Sequence, residues 1–293
     1  LSLGMFDGVH IGHQKIIRRL TDLAAKARCP SAVLTFDRHP RRILDHKKES
    51  CSITSVNHRA ALIEKLEVDY FIVIHFDAAF AAVSPEQFVE EILVRKLQIR
   101  RIVTGPDARF GKQGRGNTEF LAAAARGRFT VETVPFTYMD EKPVSSTRIR
   151  KAITAGNLRQ AERMLGRRVS VVGMVVHGDR IGRSLGIPTA NIAVEHEVYP
   201  PAGVYACEAL VNGTRHKAVT NIGFRPTFYG DTDFPEELIE THILDFSKDI
   251  YGKRIEVLFL RKIRDEKRFD SLRELRETLR KDLQEAQREE RDE

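Results

Sequence analysis

The sequence has no long apolar run and few cysteines, and each absence argues against a class of protein. No stretch approaches the roughly 18 apolar residues that span a bilayer, so we expect no membrane-spanning helix. The three cysteines, Cys29, Cys51 and Cys207, are far apart and lack motif spacing. This argues against a disulfide framework or a cysteine-based zinc site. Since no basic and apolar leader is recognisable either, we expect a cytoplasmic protein.

Length and composition indicate a globular chain of more than one domain. The 293 residues are 42% apolar and 30% charged, which is ordinary for a water-soluble fold. A chain of this size exceeds what a single hydrophobic core usually holds, so two domains are favoured.

The charge is uneven along the chain. Residues 1–168 hold 29 basic and 18 acidic side chains, whereas residues 169–293 hold 19 and 23. The contrast supports a boundary near residue 168. A basic half could bind nucleic acid or a polyphosphate nucleotide, although solvated surface charge gives the same pattern.

The first half alternates buried strands with amphipathic helices. A helix is predicted at 85–97, where Ser84 and Pro85 provide a cap and a first turn. A second helix is predicted at 147–167. Strands are predicted at 1–3, 31–37, 68–77 and 100–105. This order predicts an open parallel α/β sheet, with ligands at the carboxyl ends of its strands.

The second half has shorter, alternating strands. Asn212-Gly213 separates two alternating runs and predicts a hairpin. This hairpin covers 203–223, and further strands are predicted at 169–176, 240–246 and 254–263. They indicate a small antiparallel barrel. A final helix follows, with a leucine stripe and a capping box of Ser271 and Glu274.

The stretch GVHIGH, residues 8–13, is the most informative part of the first half. Its histidines, His10 and His13, lie in a glycine-rich turn between a strand and a helix. Backbone N–H groups and the helix dipole favour phosphate at such a turn. Three interpretations remain open from the pattern alone: nucleotide binding, a structural role, or metal ligation, for which a third ligand is missing.

Two other strings contain polar groups with more than one interpretation. In VSSTRIR, residues 144–150, the hydroxyls and the arginines suit a triphosphate, but Ser-Ser-Thr is also a good helix cap. In GIPTANI, residues 186–192, Thr189 and Asn191 offer two neutral oxygen ligands for Mg²⁺. A proline-containing turn with a Thr–Asn hydrogen bond is the simpler interpretation.

Several strings together resemble one protein family, the bacterial bifunctional riboflavin kinase/FMN adenylyltransferases. The strings are GMFDGVHIGHQ (4–14), LTFDRHP (34–40), TGPDARFGKQGRGN (104–117), VSSTRIR (144–150), GRSLGIPTANI (182–192), NIGFRPTF (221–228) and ETHILDF (240–246). They follow the order of the family, and the resemblance spans nearly the whole chain.

The resemblance implies an α/β fold. A Rossmann-like nucleotidyltransferase domain with a parallel sheet is expected at 1–150, a helical linker at 151–168, and an antiparallel β-barrel kinase domain with a C-terminal helix at 169–293. The implied activities are ATP-dependent phosphorylation of riboflavin to FMN and adenylylation of FMN to FAD with release of pyrophosphate. ATP is then a co-substrate and Mg²⁺ the cofactor.

The resemblance also implies roles for individual residues. The catalytic residues would be Glu240, His10, His13 and Arg150. Nucleotide-binding residues would be Gly4, Phe6, Asp7, Gly8, Gly12, Ser146, Thr147, Gly178, Gly182 and Gly186. Flavin-binding residues would be Asp107, Phe110 and Arg273, and the metal ligands Thr189 and Asn191.

The chain departs from the family pattern at a few positions. Arg38, Ala108 and Pro143 differ in the first half, and Ile187 replaces the usual Phe in the second. Loss of one of the two activities is therefore an alternative, as is a non-catalytic protein that binds nucleotide or nucleic acid. The expected partners are riboflavin, FMN, FAD and ATP rather than nucleic acid or membrane. A monomer or a weak homo-oligomer is expected.

Overall fold

The computed structural model describes residues 1–38, 52–177, 187–195, 197–224, 237–267, 269 and 271–288. The chain divides into two compact units, Leu1–Arg148 and Ile149–Glu293.

The first unit is a parallel sheet covered by helices on both faces. Its strands are β1 (Ser2–Leu3), β2 (Ala32–Phe36), β3 (Tyr70–Ile74), β4 (Arg101–Thr104) and β5 (Thr130–Thr133). Its helices are α1 (Ile11–Ala27), α2 (Val56–Glu64), α3 (Ala78–Ala81), α4 (Pro85–Gln87, continued over Phe88–Lys96) and α5 (Thr118–Ala125). The strand order is β3-β2-β1-β4-β5, and every pairing is parallel. The predicted parallel α/β domain is therefore confirmed.

Alternation along the central strands builds two cores. Leu34 and Ile102 face one side, with Phe88 and Leu93 of α4. Val33 faces the other side. The residues that pack with it there include Ile17, Leu20, Val103 and Leu62. Both faces of the sheet are covered, which explains why its strands read as continuous apolar runs.

The helix predicted at 85–97 forms, with one change. Ser84 and Gln87 make a reciprocal capping box, and Pro85 occupies the first turn. After Gln87 the helix widens into a π-helix over Phe88–Lys96, and the Leu97 amide donates to the Ile92 carbonyl at 2.9 Å. The wider turn places Phe88, Val89 and Leu93 in the core.

Along the chain after β5, a short hairpin precedes a helix. Strands β6 (Tyr138–Met139) and β7 (Lys142–Pro143) pair antiparallel, and α6 (Ser146–Thr154) follows. The continuous helix predicted at 147–167 is wrong in detail. The chain forms α6 and then α7 (Leu158–Leu165), because Gly156 adopts a φ of +76° between them.

The second unit is a closed barrel with one long helix. Its strands are β8 (Val169–Val176), β9 (Ala190–Val194), β10 (Gly203–Val211), β11 (Thr214–Phe224), β12 (Glu237–Ile243) and β13 (Arg254–Arg264), followed by α8 (Leu272–Gln287). The strands close in the order β10-β11-β12-β9-β8-β13. Asn212 and Gly213 form the predicted two-residue turn, with φ of +48° and +81°. The predicted barrel and C-terminal helix are confirmed.

Helix α8 is attached to the barrel by apolar contacts and one ion pair. Leu283 and Ala286 pack against the barrel core. On the same helix, the buried Asp282 carboxylate accepts two hydrogen bonds from Arg264 Nε and one from Nη2, at 2.9–3.2 Å. In the ranges that the structure describes, no helix combines the length and the apolar character needed to cross a bilayer.

Candidate active sites

The glycine-rich loop of the first unit carries both histidines at the start of α1. His10 is the N-cap of α1, and its Nδ1 accepts a hydrogen bond from the His13 amide at 3.3 Å. Because Nδ1 accepts, the proton of a neutral His10 ring lies on Nε2. The loop lies at the carboxyl end of β1, where open parallel sheets bind ligands.

The two imidazoles stack on each other. Their ring centroids are 3.6 Å apart and their planes differ by 17°. Burial, followed by the proximity of His10 and of the Arg59 guanidinium, lowers the pKa of His13 well below 6.5. Within the described residues, His13 Nδ1 is buried and makes no hydrogen bond. A neutral His13 therefore stacks on His10.

The glycines in this loop lie close against neighbouring side chains. A Cβ on Gly8, whose φ is +80°, would lie 2.9 Å from Ile53 Cδ1. A Cβ on Gly12 would lie 3.2 Å from the His10 ring, and one on Gly4 would lie 3.2 Å from the Phe6 ring. The Phe6 ring itself is buried and meets the His13 ring edge-on at 5.2 Å. Phe6 therefore packs beneath the histidines.

Asp7, predicted to bind nucleotide, has its side chain within the loop. The buried carboxylate accepts hydrogen bonds from the backbone amides of Ile53 and Thr54, at 2.8 and 3.2 Å. The Thr54 hydroxyl accepts a hydrogen bond from the Gly8 amide at 3.0 Å. These contacts fasten the loop to the segment before α2. The Asp7 carboxylate thus stabilises the loop through hydrogen bonds with backbone amides.

The start of α6 meets the same loop. Ser146 Oγ donates to the Asp7 carbonyl at 2.9 Å, so the Ser-Ser-Thr segment lies against the loop that carries the histidines. Thr147 is exposed beside it. Arg150 follows Ser146 by four residues and so shares its face of the helix. The division between the two units falls between Arg148 and Ile149.

Arg148, the other arginine of this string, is used by the protein itself. Its Nη1 donates to the carbonyls of Met139, Lys142 and Pro143, at 3.3, 2.9 and 2.9 Å. It therefore clamps the β6–β7 hairpin. Both arginines of the string were expected to suit a triphosphate, and in this structure Arg148 Nη1 contacts the hairpin. Pro143, which departs from the family pattern, contributes its carbonyl to this clamp.

The three residues predicted to bind flavin differ in their exposure. Asp107 is exposed after β4, beside the half-buried Ala108. Phe110 is buried in the core, between the rings of Phe88 and Phe120 at 5.2 and 5.9 Å. Its ring thus has a packing role here. Arg273 belongs to the second unit and is largely exposed on α8, where it pairs with Glu277.

The barrel has a cleft of about 490 Å³ at the end of β8 and β9. Thr189 and Asn191 both line it. Its lining also includes Val175, Thr241, Phe246, Lys248 and Tyr251. The predicted metal ligands therefore share one concave surface, which is large enough for part of a nucleotide.

Glu240 lies on β12, which pairs with the strand that carries Asn191. It is directly opposite Asn191 on β9 and directly opposite Asn221 on β11. Directly opposite residues of antiparallel strands point to the same face, so these three side chains form a row. Glu240 is not among the described residues that line the cleft. The neighbouring Thr241 points to the other face, where its hydroxyl bonds that of Thr220 at 3.0 Å.

A histidine joins the strand of Glu240 to the segment of Thr189. The His242 Nδ1 and the Pro188 carbonyl are 2.7 Å apart, so the ring donates to the residue immediately before Thr189. Ile187, the departure from the family pattern, is buried there. The threonine–asparagine segment is thereby held against β12.

Some of the predicted residues cannot be placed. Gly178, Gly182 and Gly186 lie outside the described residues, as do residues 39–40 and 225–228 of the motifs.

A divalent ion is implied by the family, and the donor set fits one. In the described part of the chain, no group of three His, Cys, Asp or Glu side chains comes together. Thr189 and Asn191 instead offer neutral oxygen atoms beside the carboxylate strand. Mg²⁺ prefers oxygen and takes most of its ligands from water and phosphate, so this sparse set is compatible with it.

Sequence reasoning missed three residues that support these sites: Thr54, Arg59 and Asn221. Thr54 accepts a hydrogen bond from Gly8, 46 positions away, and Asn221 faces Glu240, 19 positions away. Arg59 contacts the Met5 carbonyl of the histidine-loop string, 54 positions away. Their importance arises from tertiary contact, and no local pattern marks them.

Two family models match the chain, one for each unit. Residues 1–148 match the model described as FAD synthetase, and residues 165–289 match the model described as riboflavin kinase. The chain belongs to the riboflavin kinase/FMN adenylyltransferase family. The two matches correspond to the parallel sheet with its histidine loop and to the barrel with its Glu240 row.

Curated relatives cover nearly all of the chain. The bifunctional riboflavin kinase/FMN adenylyltransferase of Listeria monocytogenes is 39% identical over 98% of this chain and 90% of its own length. The same enzyme of Bacillus subtilis is 37% identical with the same coverage. In Escherichia coli it is 35% identical over 96% of this chain and 90% of its own length.

A solved structure has the same fold. It is described as a macrolide-efflux protein from Streptococcus pneumoniae and is 30% identical to this chain, with a TM-score of 0.84. It covers 99% of this chain, and 94% of its own length is matched.

Proposed function

We propose that this family member carries out two successive steps of FAD formation. The barrel transfers the γ-phosphate of ATP to the 5′-hydroxyl of riboflavin, giving FMN and ADP. The parallel-sheet unit then joins FMN to the adenylyl group of a second ATP, giving FAD and pyrophosphate. Two observations support the proposal: the histidines stack at the start of α1 in one unit, and Glu240 lies opposite Asn191 in the other.

In the kinase step, Glu240 is the general base. It accepts the proton of the attacking hydroxyl as the phosphoryl group is transferred. Thr189 and Asn191 would hold Mg²⁺, which neutralises charge on the transferred phosphate when it is bound. The cleft beside Asn191 gives the nucleotide a concave surface to occupy. Gly178, Gly182 and Gly186 remain proposed nucleotide contacts.

In the adenylyl-transfer step no protein nucleophile is needed. The FMN phosphate attacks the α-phosphorus of ATP, and pyrophosphate leaves. His10 Nε2 donates to the triphosphate from the cap of α1. His13, Ser146, Thr147 and Arg150 complete the surface that positions the triphosphate and stabilises the leaving group. Asp107 and Arg273 remain proposed flavin contacts of their respective units.

The proposal includes the setting in which the enzyme works. We propose that the enzyme is cytoplasmic, acts on small molecules and is a monomer or weak homo-oligomer. Its domains would cover 1–150 and 169–293, with a helical linker at 151–168.

A product assay tests the proposal. The full chain is incubated with riboflavin, ATP and Mg²⁺, and the flavins are separated by chromatography. FMN followed by FAD supports both steps. FMN that accumulates without FAD, even when FMN is supplied, would show that only the kinase step operates. Protein that forms neither product would refute the proposal.

A further inference from the structure

Arg59 is a buried arginine beneath the histidine loop. It lies on α2, which Ser55 caps, and only 2% of its surface is exposed. Its Nη1 donates to the Met5 carbonyl at 2.6 Å and to Thr35 Oγ1 at 2.8 Å, with a longer contact of 3.4 Å to the Phe36 carbonyl. The Thr35 hydroxyl in turn donates to the Met5 carbonyl at 3.1 Å. One guanidinium nitrogen therefore joins the carboxyl ends of β1 and β2.

These contacts lie one residue from the ring that supports His13. Met5 is followed by Phe6, whose φ is +49° and whose ring meets the His13 ring edge-on. A shift of the Met5 carbonyl would move Phe6 and so tilt His13 relative to His10. Hydrogen bonds from a charged donor are stronger than neutral ones, so Arg59 is a strong constraint on this position.

The charge of Arg59 acts on His13 as well. After burial and His10, the Arg59 guanidinium is the third influence that lowers the pKa of His13. Among the described residues, the groups whose charge lowers the pKa of His13 are His10 and the Arg59 guanidinium of α2. Arg59 keeps its charge at every working pH, so it provides a permanent positive charge behind the histidine pair.

We propose that Arg59 is a positioning residue of adenylyl transfer: it fixes the Met5–Phe6 segment and, through Phe6, the orientation of His13 toward the nucleotide. The inference rests on the proposed function of the first unit. Arg59 touches no reacting atom in this account, and its effect reaches the reaction through the loop and the permanent charge. Displacement of a catalytic group by about 1 Å can cost on the order of a hundredfold in rate.

The test compares Arg59→Met, which keeps length and removes charge, with Arg59→Lys, which keeps the charge. Arg128→Met is the matched control, because Arg128 lies in the same unit but pairs with Glu90 at the surface. FMN-to-FAD conversion is measured as kcat and as KM for ATP and FMN. Phosphorylation of riboflavin by the same chain serves as the internal reference.

We expect Arg59→Met to lower kcat for FAD formation by about tenfold or more, with kinase activity within about twofold of the parent. Arg59→Lys should recover part of the loss, and Arg128→Met should leave both activities unchanged. If Arg59→Met fails to fold, the smaller loss expected for Arg59→Lys decides the question. An equal fall of both activities, or full FAD formation by Arg59→Met, would overturn the inference.

A second readout separates positioning from simple support of the fold. The imidazole of His13 is titrated by NMR in the parent and in Arg59→Lys and Arg59→Met. Loss of the nearby cation should raise the pKa of His13 in Arg59→Met and leave it closer to the parental value in Arg59→Lys. An unchanged titration in Arg59→Met would contradict the inference. This readout holds even if the parent makes no FAD, an outcome that would refute the proposed function separately.

Discussion

Glu240 and Asn191 are directly opposite each other on antiparallel strands β12 and β9. The pairing places the proposed base and a proposed metal ligand on one face of the barrel, about one strand spacing apart. Backbone hydrogen bonds of the ladder maintain that distance, so it does not depend on a flexible loop. The relative position of the proposed base and the proposed metal ligand is therefore fixed by the barrel itself.

Replacement of Glu240 by Gln should abolish most riboflavin phosphorylation. The amide keeps the shape of the side chain but cannot accept the hydroxyl proton, and general bases contribute about 10²–10⁴ in rate. FMN-to-FAD conversion should be unaffected, because it belongs to the other unit. Glu208→Gln is the matched control, since Glu208 is a strand glutamate paired with Arg215 at the surface. Chromatographic assay of both products measures the effect, and undiminished FMN formation would remove Glu240 from the mechanism.

His13 should make the first unit less stable in mild acid. Its pKa lies well below 6.5 in the folded protein, so below that pH the unfolded chain binds a proton that the folded chain does not. Stability is then fully present above about pH 6.5 and falls as the pH decreases toward the lowered pKa, by at most about 1.4 kcal/mol per unit.

Amide hydrogen exchange measures this dependence locally. Buried amides of α1, such as those of Ile17 and Leu20, should lose protection between pH 7 and pH 5 after correction for intrinsic exchange. The loss should be smaller in His13→Asn, which cannot titrate. Parallel profiles for the two proteins would show that another group is responsible.

Arg148 should stabilise the hairpin without taking part in adenylyl transfer. Arg148→Ala removes the three hydrogen bonds that Arg148 donates to the carbonyls of Met139, Lys142 and Pro143. Hydrogen exchange at the β6–β7 amides and cleavage by Glu-specific protease at Glu141 should both become faster. Lys151→Ala, an exposed change on the same helix, should leave them unaltered. An unchanged cleavage rate in Arg148→Ala would show that the clamp does not hold the hairpin.

The ion pair of Asp282 with Arg264 should contribute more to the free energy of unfolding than the surface ion pairs on the same helix. Asp282 is 3% exposed, and removal of one partner of a buried pair costs about 3–5 kcal/mol. Asp282→Asn keeps one acceptor, so we expect a loss somewhat below that range, measured by urea unfolding of the barrel unit. Glu277→Gln, which breaks the exposed pair with Arg273, should cost less than about 1 kcal/mol. Equal losses would show that burial does not distinguish the two pairs.

Local patterns were sufficient to predict most of the fold. The Asn212-Gly213 turn, the cap at Ser84 and the cap at Ser271 were all readable, because each depends on residues within four positions. Parallel and antiparallel strands were distinguished by their continuous or alternating apolar runs. The break at Gly156 was missed, because helical periodicity continues on both sides of it.

The candidate sites were only partly predictable. The histidines were recognised from their glycine-rich setting, but the contacts of Asp7 with Ile53 and Thr54 join residues more than 45 positions apart. Similarly, Arg148 and Arg150 look equivalent in the sequence. Only the position of the hairpin carbonyls shows that Arg148 is engaged by the chain itself.

The central strand of the first unit has a consequence for synthesis on the ribosome. β1 pairs with β2 on one side and with β4 on the other, and the Ser2 hydroxyl donates to the Val103 carbonyl, 101 positions away. A nascent chain therefore cannot complete the middle of this sheet until the fourth strand has left the exit tunnel. The β10–β11 hairpin, by contrast, can close as soon as its turn has emerged. We expect the order of synthesis and the order of folding to diverge in the first unit, where the loop that carries the histidines is made early and acquires its final shape late.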